Sequence, residues 1–125
     1  MFQKLLLLAV AGSLGTLARY ELGGFVQNQC GKVFPWGTVT VNLLGCLAFG
    51  AVWSALEERW PDSGETRAII LIGFMGAFTT FSTFIFETNQ LLRDSQWMSA
   101  LGYFALHNVG GLAALAIGLV VGRLL

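Results

Sequence analysis

The chain has 125 residues, 55% of them hydrophobic and only 11% charged, and its mean hydropathy is +0.69. An ordinary soluble domain carries about a quarter charged residues, so this composition excludes a water-soluble globule. Seven Lys and Arg balance seven Asp and Glu, which leaves no basic excess to recruit nucleic acid.

The first apolar run, Leu5 to Ala18, follows Lys4 and extends toward Phe25 if Arg19 and Glu21 lie at the interface or face the protein interior. It predicts a span over residues 3–25. A cleaved leader is the alternative, but Gly12, Gly15 and Thr16 fit helix packing and no small-residue cleavage site follows cleanly. Three longer stretches, Val33 to Leu56, Ala68 to Phe86 and Ser95 to Gly122, contain no Asp, Glu, Lys or Arg. Each meets the need for about 20 mainly apolar residues, and they predict spans over residues 36–56, 68–91 and 99–123. The expected fold is an all-α membrane protein, a single four-helix transmembrane domain over residues 1–125.

The connections are short: Val26 to Pro35, Glu57 to Thr66, and Leu92 to Met98. Pro35 and Pro61 punctuate the first two, and Trp36, Trp60 and Trp97 stand where a span meets the headgroups. Such loops leave no domain outside the bilayer, and no Ser/His/Asp set, CxxC, HExxH or P-loop occurs, so no enzyme is expected. Cys30 and Cys46 lack zinc or disulfide-framework spacing and are read as ordinary small side chains.

Four spans put Lys4, Arg59, Arg67 and Arg123 on one side and Arg19, Lys32 and Arg93 on the other. So small a bias gives little to orient the chain. A chain so evenly balanced could insert in both directions, and two oppositely inserted copies would form an antiparallel, dual-topology homodimer. Four short helices also have little interior in which to shelter polar groups, which a second subunit would enlarge.

On the second span, Thr38, Asn42, Cys46, Gly50 and Ser54 recur every four residues on one helix side. Asn42 is the exception in its apolar surroundings, because a carboxamide there needs a partner. It either bonds between helices or donates its NH₂ to an anion, and both readings remain open.

The third span contains GFMGAFTTFSTF, Gly73 to Phe84. Gly73 and Gly76 weaken a helix, and Thr79, Thr80, Ser82 and Thr83 can bond local backbone, so a break is expected near residues 76–80. Irregular backbone survives in a membrane only where protein encloses it or it lines a cavity, and its bare carbonyls suit a Na⁺-type cation. Beyond the break, Phe78, Phe81 and Phe84 fall every three residues and are predicted to stagger along one side of the following helix. Ring edges are positive and attract anions, although packing is the ordinary role of any single Phe. Thr79, Thr83 and Glu87, spaced by four, form a polar line beside them. The pattern suggests a narrow ion path without identifying the ion. In the fourth span, Gly110, Ala114, Gly118 and Gly122 form a helix-packing ridge.

GFMGAFTTFSTF, with PWGTVTVNLLG upstream, GTLARY in the first span and Glu87 beyond Phe84, resembles the fluoride channel family, Fluc, also called CrcB. The resemblance spans the whole chain. It implies a fluoride-selective channel in the bacterial cytoplasmic (inner) membrane, built as an antiparallel dual-topology homodimer with two fluoride pathways and a central structural Na⁺. By the same resemblance, Phe81 and Phe84 would contact fluoride with Asn42 donating a hydrogen bond, and Thr38 would lie in the polar approach. Thr83 and Glu87 would lie on a polar track with Tyr103 near it, and Arg19 would supply positive potential at a vestibule. Arg19 also reads as a headgroup anchor or a partner for Glu21. Main-chain carbonyls of Gly76 and Thr79 from both subunits would hold the Na⁺. The chain departs from some relatives on the fourth span, where His107 and Gly111 stand in place of serines.

Two other classes compete. A small multidrug-type cation exporter is also a four-span dual-topology dimer, but it needs a carboxylate within its first span, and Glu21 stands near that span's end. A noncatalytic membrane assembly subunit would explain the glycine ridges but not an interrupted third span.

Overall fold

A computed structural model describes residues 1–60 and 64–125, so the turn expected at Pro61 lies outside the described residues. Among the described residues, four helices are long and apolar enough to cross a membrane: Phe2–Cys30, Trp36–Arg59, Gly64–Arg93 and Trp97–Leu124. The protein is a multi-pass membrane protein. We denote Phe2–Cys30 α1 and Trp36–Arg59 α2. The third crossing divides into α3, residues 64–78, and α4, Phe81–Arg93, and Trp97–Leu124 is α5.

α1 runs beyond residue 25 because its polar end is satisfied locally. The Gln27 side chain donates to the Gly31 and Phe34 carbonyls, at 3.0 Å for the latter, and accepts the Gly37 N–H at 3.0 Å. One carboxamide thereby ties α1, the connection and the first turn of α2 together. Gly31, at φ +85°, ends α1 in a conformation that costs glycine little.

Small residues let the helix backbones touch. A Cβ at Gly50 would meet the Leu115 carbonyl, and one at Gly118 or Gly122 would meet the carbonyls of Leu47 or Ala51, so α2 and α5 lie backbone to backbone. The ridge expected on the fourth span is therefore in contact at Gly118 and Gly122, while Gly110 faces the Leu43 side chain. Gly15 meets the Phe74 carbonyl in the same way, which seats α1 on α3. Large apolar side chains such as Leu5, Leu17, Ile72, Leu101 and Leu112 point outward, as a lipid solvent requires.

The third crossing departs from a simple helix in its first half and at its centre. Ile69–Met75 is π-helical, and Thr79 and Thr80 are extended, with φ/ψ of −90°/160° and −148°/113°. The break thus falls at two threonines rather than at the glycines. Gly76 stays right-handed helical at φ −62°, ψ −32°, and Gly73 serves instead to admit Ala11, whose Cβ would lie 2.9 Å from a Cβ built there.

The interior that positions the break is small. Val39, Phe84, Leu91, Ala100 and Tyr103 form a buried cluster with Phe34, Leu43 and Leu106 around it, pinning α4 between α2 and α5. A second π-helical turn, Leu106–Gly110, interrupts α5 opposite Phe84.

Candidate functional site

Breaking a helix frees backbone groups that must find partners inside a membrane. Here Asn42 supplies them. Its Oδ1 accepts the Thr80 N–H at 2.7 Å and its Nδ2 donates to the Thr80 carbonyl at 3.0 Å. The carboxamide acts as a fragment of β-strand laid against one extended residue. Of the two readings left open for Asn42, interhelical bonding is therefore realised, and one Nδ2 hydrogen remains for another acceptor.

Thr80 also begins α4. Its Oγ1 accepts the Thr83 N–H at 3.3 Å and lies 2.9 Å from Thr83 Oγ1, so the second helix starts with a capped N-terminus. In an unbroken helix the Thr80 N–H would bond the Gly76 carbonyl, and its diversion to Asn42 leaves that oxygen without its usual donor. Thr79 is anchored backward, its N–H and Oγ1 both donating to the Met75 carbonyl at 3.1 and 3.0 Å.

Two cavities flank this knot. On one side, about 410 Å³ is lined by Asn42, Thr79, Thr80, Phe81, Phe84 and His107 among others. On the other, about 420 Å³ is lined by Arg19, Thr38, Thr80, Thr83 and Glu87 together with Gln27. Thr80 borders both. Arg19 thus faces the polar cavity, half-buried, and the only ion pair among the described residues joins Arg123 to Glu58, not Arg19 to Glu21.

The aromatic side is ordered by stacking. Phe84, 4% exposed, lies face to face with His107 at 4.4 Å between centroids and 26° between planes. Tyr103 and Phe104 tilt against it at 5.6 and 5.9 Å. Phe84 and His107 both line the aromatic cavity. Phe81 lies 5.6 Å from Phe84 but is 74% exposed on this single chain. The Tyr103 hydroxyl donates to Glu87 Oε2 at 2.6 Å, and Tyr103 is fully buried, so it links the aromatic cluster to the polar cavity that Glu87 lines.

The expected rows change at the break. Phe78 precedes it, is buried, and stacks on Phe74 at 5.9 Å and 11°, so it belongs to α3 packing rather than to the row with Phe81 and Phe84. Thr79 is likewise separated from Thr83 and Glu87, because an extended pair of residues resets the helical phase that a spacing of four assumes. On α2 the row continues as expected: Thr38 faces the polar cavity, Asn42 and Cys46 the aromatic one, Gly50 touches α5, and Ser54 is buried. Both cysteines are free thiols.

Thr80, the hub of the arrangement, entered the sequence analysis only among the hydroxyl residues expected to break the helix and was not singled out as a site residue. Its signal was available, since a threonine three positions before Thr83 at a helix start is a capping pattern. Gly45 and Asn108, which also line the aromatic cavity, had none.

The family described as CrcB-like protein, Camphor Resistance (CrcB), matches residues 6–119. The chain belongs to the CrcB-like family. It is 52% identical over the full length of both chains to a protein from Nitrosococcus oceani named fluoride-specific ion channel FluC, and 50% identical, again over both full lengths, to one of the same name from Desulforapulum autotrophicum. A relative from Chloroflexus aurantiacus with that name is 38% identical over 120 residues, 96% of this chain and 95% of its own. These CrcB-like relatives are named as ion channels, a non-enzyme class.

Proposed function

We propose that the protein is a fluoride-selective channel that lets toxic cytoplasmic fluoride leave down its gradient through the inner membrane of a bacterium. The observation that carries this reading is the knot at Asn42 and Thr80, which sets a polar cavity and an aromatic one back to back in the middle of a membrane span. Relatives covering the whole chain and named fluoride-specific ion channels support it.

A small, strongly hydrated anion meets a prohibitive cost in hydrocarbon, so a path for it must replace water with donors and positive edges. Arg19, Thr38 and Thr83 supply positive charge and hydroxyls on the approach. On that same side Glu87, bonded to Tyr103, continues the polar line, and beyond the knot the spare Nδ2 hydrogen of Asn42 and the rims of Phe81 and Phe84 take over. Narrowness then disfavours chloride, and no energy source is invoked.

The pathway requires a second, antiparallel copy. In a single chain Phe81 and Gly76 are exposed beside irregular backbone, an arrangement that lipid does not tolerate and protein must cover. A near-even distribution of Lys and Arg fits insertion in both directions, and two copies would form two pathways. The Gly76 carbonyl, deprived of its helical donor, and that of Thr79 at the extended turn are hard oxygen donors of the kind that suit Na⁺. Paired across the dimer centre they would hold a structural Na⁺, which would supply fixed positive charge between the two pathways.

Efflux from liposomes read with a fluoride electrode tests the proposal. Fluoride release that is lost in Phe84→Ile, with chloride retained throughout, is the expected result; proton-coupled uptake of an organic cation would replace the channel with an exporter. Exporter chemistry has little support here, since Glu21 is exposed and borders neither cavity. Cysteine labelling from each membrane face tests the dual topology, and labelling of a given loop from one face only would end it.

A further inference from the structure

α2 seats both residues of the break. Asn42 holds Thr80, and three positions on, on the same side of the helix, stands Gly45. Gly45 is buried, and a Cβ built there would fall on Thr79 Cγ2, with Phe78 Cδ1 the next atom at 3.4 Å. The Thr79 side chain has little freedom to retreat. Its Oγ1 is committed to the Met75 carbonyl at 3.0 Å, and in a β-branched residue fixing one γ atom fixes the other. The methyl is therefore directed into the notch that the missing Cβ leaves in α2.

We propose that Gly45 is a positioning residue for the cation: the notch receives the Thr79 methyl and so sets the direction of the Thr79 carbonyl. The inference rests on the reading of the Gly76 and Thr79 carbonyls as Na⁺ ligands. α2 is then a template that reads consecutive residues of the break by different means, two hydrogen bonds to Thr80 and a steric socket for Thr79.

A compensating pair of substitutions tests the contact. Gly45→Ala adds the Cβ that Thr79 Cγ2 occupies, and Thr79→Ser removes that methyl while keeping the hydroxyl bonded to Met75. Each variant is reconstituted over a Na⁺ series for fluoride efflux and melted in detergent. Gly45→Ala should raise the Na⁺ needed for half-maximal efflux by about tenfold or more, and the double variant should return within about threefold of the unmodified protein. Unchanged Na⁺ dependence in Gly45→Ala, or a double variant as impaired as the single one, overturns the proposal. If Gly45→Ala does not fold, recovery of a folded dimer in the double variant supports the socket and its failure to recover refutes it. Should the unmodified protein conduct fluoride without regard to Na⁺, the cation reading itself fails, and the melting temperatures still decide whether the methyl and the notch are partners.

Discussion

The Asn42 carboxamide meets Thr80 twice, accepting its N–H at 2.7 Å and donating to its carbonyl at 3.0 Å, so that a single side chain completes the backbone of a broken membrane helix. Asn42→Leu would leave both Thr80 groups unpaired at a cost of about 1–3 kcal/mol each, enough to lower the melting temperature markedly. Asn42→Asp separates the two bonds: it keeps an acceptor for the N–H but sets a carboxylate oxygen against the Thr80 carbonyl. Fluoride efflux should vanish in both variants, with thermal unfolding in detergent ranking them. Normal efflux in Asn42→Asp would show that donation by Asn42 is dispensable.

Much of this arrangement was legible in the sequence because membrane spans announce themselves by composition, and the break by crowding Thr and Ser into an apolar run. Asn42 stood out for a related reason, as a carboxamide among apolar neighbours. What could not be read was phase. Spacing rules assume one continuous helix, and two extended residues at Thr79 and Thr80 separated Phe78 from Phe81 and Thr79 from Thr83. Nor could spacing foresee the length of α1, because Gln27 satisfies a polar helix end through bonds to residues well beyond it. Nor did any local sequence signal announce the π-helical turns in α3 and α5.

Tyr103 and Glu87 tie the aromatic cluster around Phe84 to the polar cavity through a 2.6 Å hydrogen bond at a fully buried ring. Tyr103→Phe deletes the hydroxyl and keeps the volume, so the aromatic cluster around Phe84 stays packed. A bond of this kind to a carboxylate contributes about 1.5–3 kcal/mol, and its loss should lower stability by that order. Efflux should fall by about tenfold or more as Glu87 loses its fixed orientation, without any gain in chloride leak. Equal fluoride rates in the variant and the parent would remove the Tyr103–Glu87 pair from the pathway.

Gly118 and Gly102 occupy the same helix but different surroundings. A Cβ at Gly118 would strike the Leu47 carbonyl, whereas one at Gly102 meets nothing within 4 Å. Gly118→Ala should therefore force α2 and α5 apart and abolish the folded protein or cost about 1–3 kcal/mol. Gly102→Ala should instead meet no steric cost in the single chain and gain about 0.5–1 kcal/mol of helix propensity, unless a second copy packs there. Melting temperatures in detergent separate the two, and a destabilised Gly102→Ala with an intact fold would support the proposed dimer and place a second copy on that face.

His107 covers one face of Phe84 at 4.4 Å, while its Nδ1–H donates to the Tyr103 carbonyl at 2.9 Å, since a carbonyl can only accept. The ring is thus tethered to its own helix and holds Phe84 by its flat surface. His107→Leu removes the flat partner, and a stacked pair of this kind contributes about 0.5–1.5 kcal/mol beyond its buried area. Phe84 should then sample other orientations, and fluoride efflux should drop by about tenfold with modest change in melting temperature. His107→Phe restores a ring without the tether and should recover most of the rate. Were leucine and phenylalanine to behave alike at this position, the stacking would have no part in orienting Phe84.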